Sequence, residues 1–152
     1  MHQDSMRLMA DFRDRYLGDL KGCAVLDVGA MRVGAEHRSY RQLFGDYCYT
    51  GMDIAPGKNV DIVGYDGLGM YDVVISGQVM EHVCRPWKWL KMLASLYRDY
   101  ICIIAPNTWK EHRYPLDTYR YFPDGMRDLF DYAGIVPVEI RAVGHDTIGI
   151  GK

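Results

Sequence analysis

Met9, Phe12, Tyr16 and Leu20 fall on one face of a helix expected over residues 4–20, and Gly18 and Gly22 mark its exit. The period then changes. Ala24-Val25-Leu26-Asp27-Val28 is a mostly apolar run closed by Gly29, which reads as a short buried strand. A second helix is expected over residues 35–44, and a second strand over residues 47–54 carries Asp53 and Ile54 at its end. Only Ala55-Pro56-Gly57-Lys58-Asn59 separates that strand from a short one at residues 60–63, too little chain for the usual crossover helix.

Tyr71-Asp72-Val73-Val74-Ile75-Ser76 is nearly continuous in apolar character and predicts a central strand buried on both faces. After Gly77, a connector holding Met80-Glu81-His82-Val83 leads to a helix opening at Pro86, with Leu90, Leu93, Ala94 and Tyr97 at i, i+3, i+4 and i+7. Residues 100–105 form the next buried strand, stopped by Pro106. Residues 107–122 mix aromatic and charged side chains without a period, as a loop does, and loops are where binding residues gather. A helix over residues 123–133 turns Met126, Leu129 and Phe130 inward. Two final runs, 136–143 and 147–150, lie close enough across Gly144-His145-Asp146 to form a hairpin.

This order of elements predicts a compact α/β fold: a Rossmann-like, doubly wound, mostly parallel seven-stranded sheet with helices on both faces and an antiparallel hairpin at one edge. Ligands in such sheets bind at the C-terminal ends of the strands. The Gly29 loop, Asp53 and the 76–82 connector all fall at that edge.

Length and composition narrow the class. The 152 residues suit one domain, and 49% hydrophobic with 25% charged residues is the balance of an ordinary globular protein. No apolar run approaches a membrane span, and the first residues lack the apolar core of a signal peptide, so a cytoplasmic protein is expected. Cys23, Cys48, Cys84 and Cys102 are scattered without a C-x-x-C pair and are expected to be reduced. A net charge of −2 offers no broad attraction to a phosphate backbone, and no nucleic-acid partner is expected. Arg32, Arg38 and Arg41 read as the wet face of the second helix.

The stretch from Val25 to Gly34 has the character of a cofactor loop, because glycine lets a ligand approach bare backbone. A dinucleotide fingerprint requires G-x-G-x-x-G, but Met31 takes the middle position, where its side chain would obstruct a pyrophosphate. Asp27 has no task in dinucleotide binding. It has one if the ligand carries an ammonium group.

Val25-Leu26-Asp27-Val28-Gly29, Asp53 after the second strand, Tyr71-Asp72-Val73-Val74-Ile75-Ser76 and Val79-Met80-Glu81-His82-Val83 together resemble the class I S-adenosylmethionine-dependent methyltransferases. Arg113-Tyr114-Pro115-Leu116-Asp117-Thr118-Tyr119-Arg120-Tyr121 resembles a loop of their small-molecule branch. The resemblance implies that Gly29, Ala30, Met31 and Gly34 cradle the methionine part of S-adenosyl-L-methionine and that Asp27 holds its ammonium group. It implies that Asp53 accepts hydrogen bonds from the ribose hydroxyls and that Ile54 packs on the adenine. Tyr65 stands where an acid usually meets the adenine amino group, with Asp66 next to it. Ser76 and Gly77 would offer backbone to the amino acid end.

Methyl transfer from a sulfonium to an oxygen acceptor calls for removal of a proton. His82 and His112 are the candidate bases, with Glu111 and Asp117 as alternatives or orienting partners. Tyr114, Asp117 and Arg120 are the candidate substrate-binding residues, and their chemistry suits a small polar acceptor, such as a sugar or sugar-bearing metabolite. Glu81-His82-Val83-Cys84 has ligand-type side chains, but no second pair lies at a metal-like spacing, so no metal site is expected. Two other readings stay open: a non-catalytic S-adenosylmethionine-binding module or partner subunit, and a nicotinamide-dependent oxidoreductase.

Overall fold

The structure, a computed structural model, describes residues 3–33 and 38–152. Gly34 and the expected start of the second helix lie outside the described residues.

Helix α1 (Gln3–Tyr16) precedes strand β1 (Ala24–Val28), followed by β2 (Cys48–Asp53), β3 (Ile62–Val63) and β4 (Tyr71–Gly77). Helix α2 (Pro86–Leu93) leads to β5 (Tyr97–Pro106), and helix α3 (Pro123–Ala133) to the hairpin of β6 (Pro137–Val143) and β7 (Asp146–Gly151). The seven strands lie in one sheet in the order β3-β2-β1-β4-β5-β7-β6. Strands β3, β2, β1, β4 and β5 pair in parallel, and β7 runs antiparallel to both β5 and β6. The hairpin sits at the edge, as the pattern predicts, with β6 outermost and the antiparallel β7 tucked between it and β5.

The alternation of side chains along the central strands divides the core in two. Val25, Val73 and Ile75 point to one face, where they meet Leu8, Met9 and Phe12 of α1 together with Tyr40 and Phe44. Leu26 and Val74 point to the other, against Leu90 and Leu93 of α2 and Met126 and Phe130 of α3. Both sets are fully buried, which is why the central runs are apolar at nearly every position. Asp72 is one of the polar exceptions, and it braces the sheet: its Oδ2 accepts the Ala24 N–H at 2.8 Å.

Three helix boundaries differ from the periodic reading. α1 ends at Tyr16, and the chain leaves it in a turn that still keeps Leu17 buried. Of the helix expected over residues 35–44, the described part holds only a 3-10 turn, Tyr40–Leu43, so Arg38 and Arg41 do not lie on an amphipathic helix face. Tyr97 opens β5 instead of closing α2, because it pairs with Tyr71 across the sheet. Strand pairing outweighs a helical period that depends on a single residue one turn further on.

Gly77, the last residue of β4, owes its identity to Tyr40. A Cβ there would lie 1.9 Å from the Tyr40 hydroxyl, which is held in the core by a 2.5 Å hydrogen bond with Ser5 Oγ. Gly77→Ala is therefore expected to lower the unfolding free energy by about 1–3 kcal/mol, the usual cost of overpacking a filled core, and urea denaturation of the two proteins measures it.

Candidate functional site

The strand order reverses between β1 and β4: from β1 the chain proceeds to β2 on one side, while β4 lies on the other. The crevice this leaves at the C-terminal edge widens into a cleft of about 740 Å³, inside the range of roughly 300–1,000 Å³ that small-molecule sites occupy. The loop after β1, the ends of β2 and β4 and the tip of the 107–122 loop line it.

Gly29 takes a φ of +82°, and a Cβ on it would sit 2.2 Å from Val79 Cγ2. Its position thus demands glycine on both conformational and steric grounds. The N–H groups of Gly29 and Ala30 both donate to the Met52 carbonyl, at 2.8 and 2.9 Å. Asp53, at the end of β2, accepts the Met31 N–H on Oδ2 at 3.0 Å and the Ile54 N–H on Oδ1 at 2.8 Å. One carboxylate therefore holds the glycine loop against β2 and keeps lone pairs for a further donor. Ile54 stands beside it with 69% of its surface exposed, an apolar lip on the cleft. Tyr65 faces it from the next connection, and its hydroxyl accepts the Trp89 Nε1–H at 2.9 Å.

Gln78, directly after β4, has a φ of 60° and lines the cleft. Its Nε2 donates to Asp146 Oδ1 at 3.0 Å, while its buried Oε1 has no partner in the protein. A buried acceptor without a donor at a cleft wall is a place for a ligand donor.

Several expected residues sit behind the wall. Ser76 is buried and its Oγ donates to the Val28 carbonyl at 2.6 Å, tying β4 to β1. Asp27 is also buried, and its Oδ2 accepts the Tyr49 hydroxyl. Tyr49 in turn accepts from Asn59 Nδ2, whose amide also donates to the Ala30 carbonyl at 2.8 Å. Asp27 thus connects to the glycine loop through a polar chain. Burial pushes its carboxyl up to about 7, against the Tyr49 hydrogen bond and the Arg41 charge, which both favour the ionised form. Asp66 is exposed and outside the cleft lining.

The 107–122 loop is pinned over the Met80–His82 turn that follows β4. The Thr118 N–H and Oγ1–H both donate to the Glu81 carbonyl, at 2.7 and 2.8 Å, and the Tyr121 hydroxyl donates to the Met80 carbonyl at 2.9 Å. Within the loop, Arg120 holds Asp117 through two bonds of 2.6 and 2.8 Å and donates to the carbonyls of Trp109 and Lys110. The Arg120 guanidinium keeps the Asp117 carboxyl well below its usual range. The structure places these two residues in the loop's own brace; Tyr114 and its neighbour Pro115, joined by a cis peptide bond, face the cleft.

This fold-back brings His82 and His112 together at the cleft wall, with ring centroids 5.0 Å apart. His82 Nδ1 lies 2.5 Å from the Leu116 carbonyl and His112 Nδ1 3.0 Å from that of Lys110. A carbonyl only accepts, so Nδ1 carries a proton in each ring. Both Nε2 atoms point to Glu81, 3.7 and 3.8 Å from its Oε1. Glu81 is wholly buried, and burial pushes its carboxyl up to about 8. Glu81, Gln78 and Val79 have no role expected from the sequence; an acid next to histidine in an otherwise apolar connector is the available signal for the first.

No family model and no curated protein matches this sequence. Among solved structures, the fold is similar to that of Burkholderia thailandensis 1,6-didemethyltoxoflavin-N1-methyltransferase with bound 1,6-didemethyltoxoflavin and S-adenosylhomocysteine. The TM-score is 0.73 at 16% identity, over 97% of this chain and 77% of that one. It is also similar to magnesium protoporphyrin IX methyltransferase from Synechocystis PCC 6803 with bound S-adenosylhomocysteine (TM-score 0.69, 18% identity, 99% of this chain and 82% of that one). A third is the N-terminal domain of EvdMO1 with S-adenosylhomocysteine and D-fucose (TM-score 0.64, 16% identity, 99% and 83%). The chain therefore has the Rossmann-like fold of S-adenosylmethionine-dependent methyltransferases.

The buried Asp27 gives a pH signature. Its carboxyl ordinarily titrates at 3.8 and in the folded chain at about 7, so between these values the folded state binds more protons than the unfolded one. Its stabilising contribution is full below about pH 4 and is lost as the pH rises towards about 7. Urea unfolding at several pH values is expected to show a steeper fall in stability over this window for the native chain than for Asp27→Asn, which cannot titrate.

Proposed function

We propose that this chain is an S-adenosylmethionine-dependent methyltransferase that moves a methyl group to an oxygen of a small polar acceptor, such as a sugar or sugar-bearing metabolite. The observation that carries the reading is a single cleft lined both by the glycine loop, Asp53 and Ile54 and by the paired imidazoles of His82 and His112. The bound S-adenosylhomocysteine of the similar structures supports the same choice of cofactor.

The residues present fit that cofactor. Gly29, Ala30 and Met31 present backbone at the methionine end, Gln78 Oε1 and the Gly77 backbone add acceptors, and Asp27 backs the loop through Tyr49 and Asn59. Ser76 supports the proposed cradle by tying β4 to β1; Gly34, which the resemblance assigns to it, lies outside the described residues. Asp53 retains acceptor capacity for the ribose hydroxyls, while Ile54 and Tyr65 provide an apolar lip and a ring for the adenine, with Asp66 beyond them. When bound, S-adenosylmethionine supplies an electrophilic methyl group whose departure discharges the sulfonium. The chain's own share of the work is alignment and exclusion of water.

At the acceptor end, His82 and His112 are the groups placed to take the acceptor's proton, and their Nδ1–H bonds to loop carbonyls fix the ring orientations. Tyr114 lines the acceptor side directly; Asp117 and Arg120 act by holding the loop that carries it. One similar structure was determined in the presence of D-fucose, which supports a sugar as a class of acceptor. Among the described residues no helix is long and apolar enough to cross a membrane.

Calorimetry with S-adenosylmethionine, S-adenosylhomocysteine and NADH tests the reading. Both sulfur nucleotides are expected to bind and NADH is not, and failure of both to bind would overturn it. Asp53→Ala is expected to weaken their binding by about tenfold or more, as the loss of hydrogen bonds to a charged acceptor implies. Transfer of a labelled methyl group to a panel of sugars and small hydroxylated metabolites then separates an enzyme from a non-catalytic binding module.

A further inference from the structure

Glu81 is the one side chain among the described residues with both oxygens of a carboxylate buried and without a hydrogen-bond partner. It is 0% exposed, while His82 and His112 reach the cleft with side chains 14% and 25% exposed. An ionised carboxylate at this place would need a cationic partner to offset its desolvation. Neither imidazole hydrogen-bonds it: at 3.7 and 3.8 Å, Nε2 of each ring is too far from Oε1. The gap is the size of something else.

An ion held tetrahedrally at about 2.0–2.2 Å sets its ligands roughly 3.3–3.6 Å apart. The two nitrogen–oxygen separations, 3.7 and 3.8 Å, need only a small side-chain adjustment to reach it, and the three ligand atoms all lie within 4.8 Å of one another. Both rings are already set as ligands. Each donates Nδ1–H to a backbone carbonyl and turns Nε2 towards Glu81, the outer-shell arrangement that fixes metal-binding histidines. The His112 N–H is held in addition by Asp117 Oδ2 at 2.6 Å, so the Asp117–Arg120 brace positions the second ring.

We propose that Glu81, His82 and His112 form a site for one divalent cation of the zinc class, with its remaining coordination positions open to the cleft. Two imidazole nitrogens and one carboxylate oxygen suit zinc and its transition-metal neighbours better than magnesium, which takes oxygen ligands. Three protein ligands with an open position are the arrangement of catalytic and not of structural zinc. The ion's presence is independent of the methyl-transfer reading, but its role rests on it. An acceptor hydroxyl bound to the cation gives its proton to water in the cleft, and its oxygen forms the new bond to the methyl carbon. The carbon–sulfur bond breaks with its electron pair passing to sulfur, leaving the methyl ether, S-adenosylhomocysteine and one released proton. The cation then takes the place of a free imidazole base by stabilising the developing alkoxide.

The test uses the whole chain stripped with a chelator and dialysed. Titration with Zn²⁺ by calorimetry is expected to give one saturable site per chain, and Co²⁺ is expected to give a visible absorption band of a low-symmetry site. Glu81→Gln, His82→Gln and His112→Ala, each checked for native circular dichroism, are expected to weaken Zn²⁺ binding by more than about 100-fold, beyond what loss of an outer-shell partner causes. No saturable binding below about 1 mM, Zn²⁺ binding unchanged in all three variants, or Mg²⁺ bound as tightly as Zn²⁺ would each overturn the proposal. S-adenosylhomocysteine binding without Zn²⁺ binding would remove the cation site and leave the methyltransferase reading intact. Zn²⁺ binding without S-adenosylhomocysteine binding would do the reverse.

Discussion

The parallel pairing of β1 with β4 is the constraint on which the rest depends. Val25, Leu26 and Asp27 pair with Val73, Val74 and Ile75, and Ser76 Oγ fastens the end of β4 to the Val28 carbonyl. Because β1 continues to β2 on one side while β4 stands on the other, no crossover fills the space above their ends. Both strands are buried on each face, so this junction is rigid, and the loops leaving it inherit its geometry. The glycine loop, Asp53 and the Gly77–Val79 turn converge for that reason.

Polar groups beneath the junction are arranged in a continuous chain. Asp27, Tyr49, Asn59 and the Ala30 carbonyl connect under the glycine loop, while Arg41 stacks over the Tyr49 ring and pairs with Asn59 and Asp61. A buried carboxylate would be costly on its own, and its partners in this chain offset part of that cost. Glu81, a few residues past the neighbouring strand β4, has no such hydrogen-bond partners. Two buried acids, one satisfied and one not, mark the difference between supporting a loop and waiting for a ligand.

The second determinant is the 107–122 loop. It makes little regular structure of its own, yet Thr118, Tyr121 and the Leu116 carbonyl attach it to the Met80–His82 turn at four points. The Asp117–Arg120 pair closes it internally, with the Asp117 side chain 1% exposed. A segment that looks like open loop in the sequence thus behaves as a wall of the cleft.

Strand content and order were legible in the sequence because burial on both faces leaves an apolar run at each central strand, and glycine or proline stops it. The glycine loop and Asp53 were legible for the same reason, since they directly follow such runs. Helix ends were less so: Tyr97 obeys a helical period but is claimed by pairing with Tyr71, a contact that local spacing cannot express. The meeting of Glu81, His82 and His112 lay further out of reach. Two of them are neighbours in the chain and the third is about thirty residues away, so spacing argued against a common site. The amino-acid sequence by itself determined the sheet, its buried strands and the edge at which a ligand would lie, through local periodicity and turn chemistry. Only the tertiary structure decided which loop folds back over that edge and which side chains face one another there, because those contacts are set by long-range hydrogen bonds and burial.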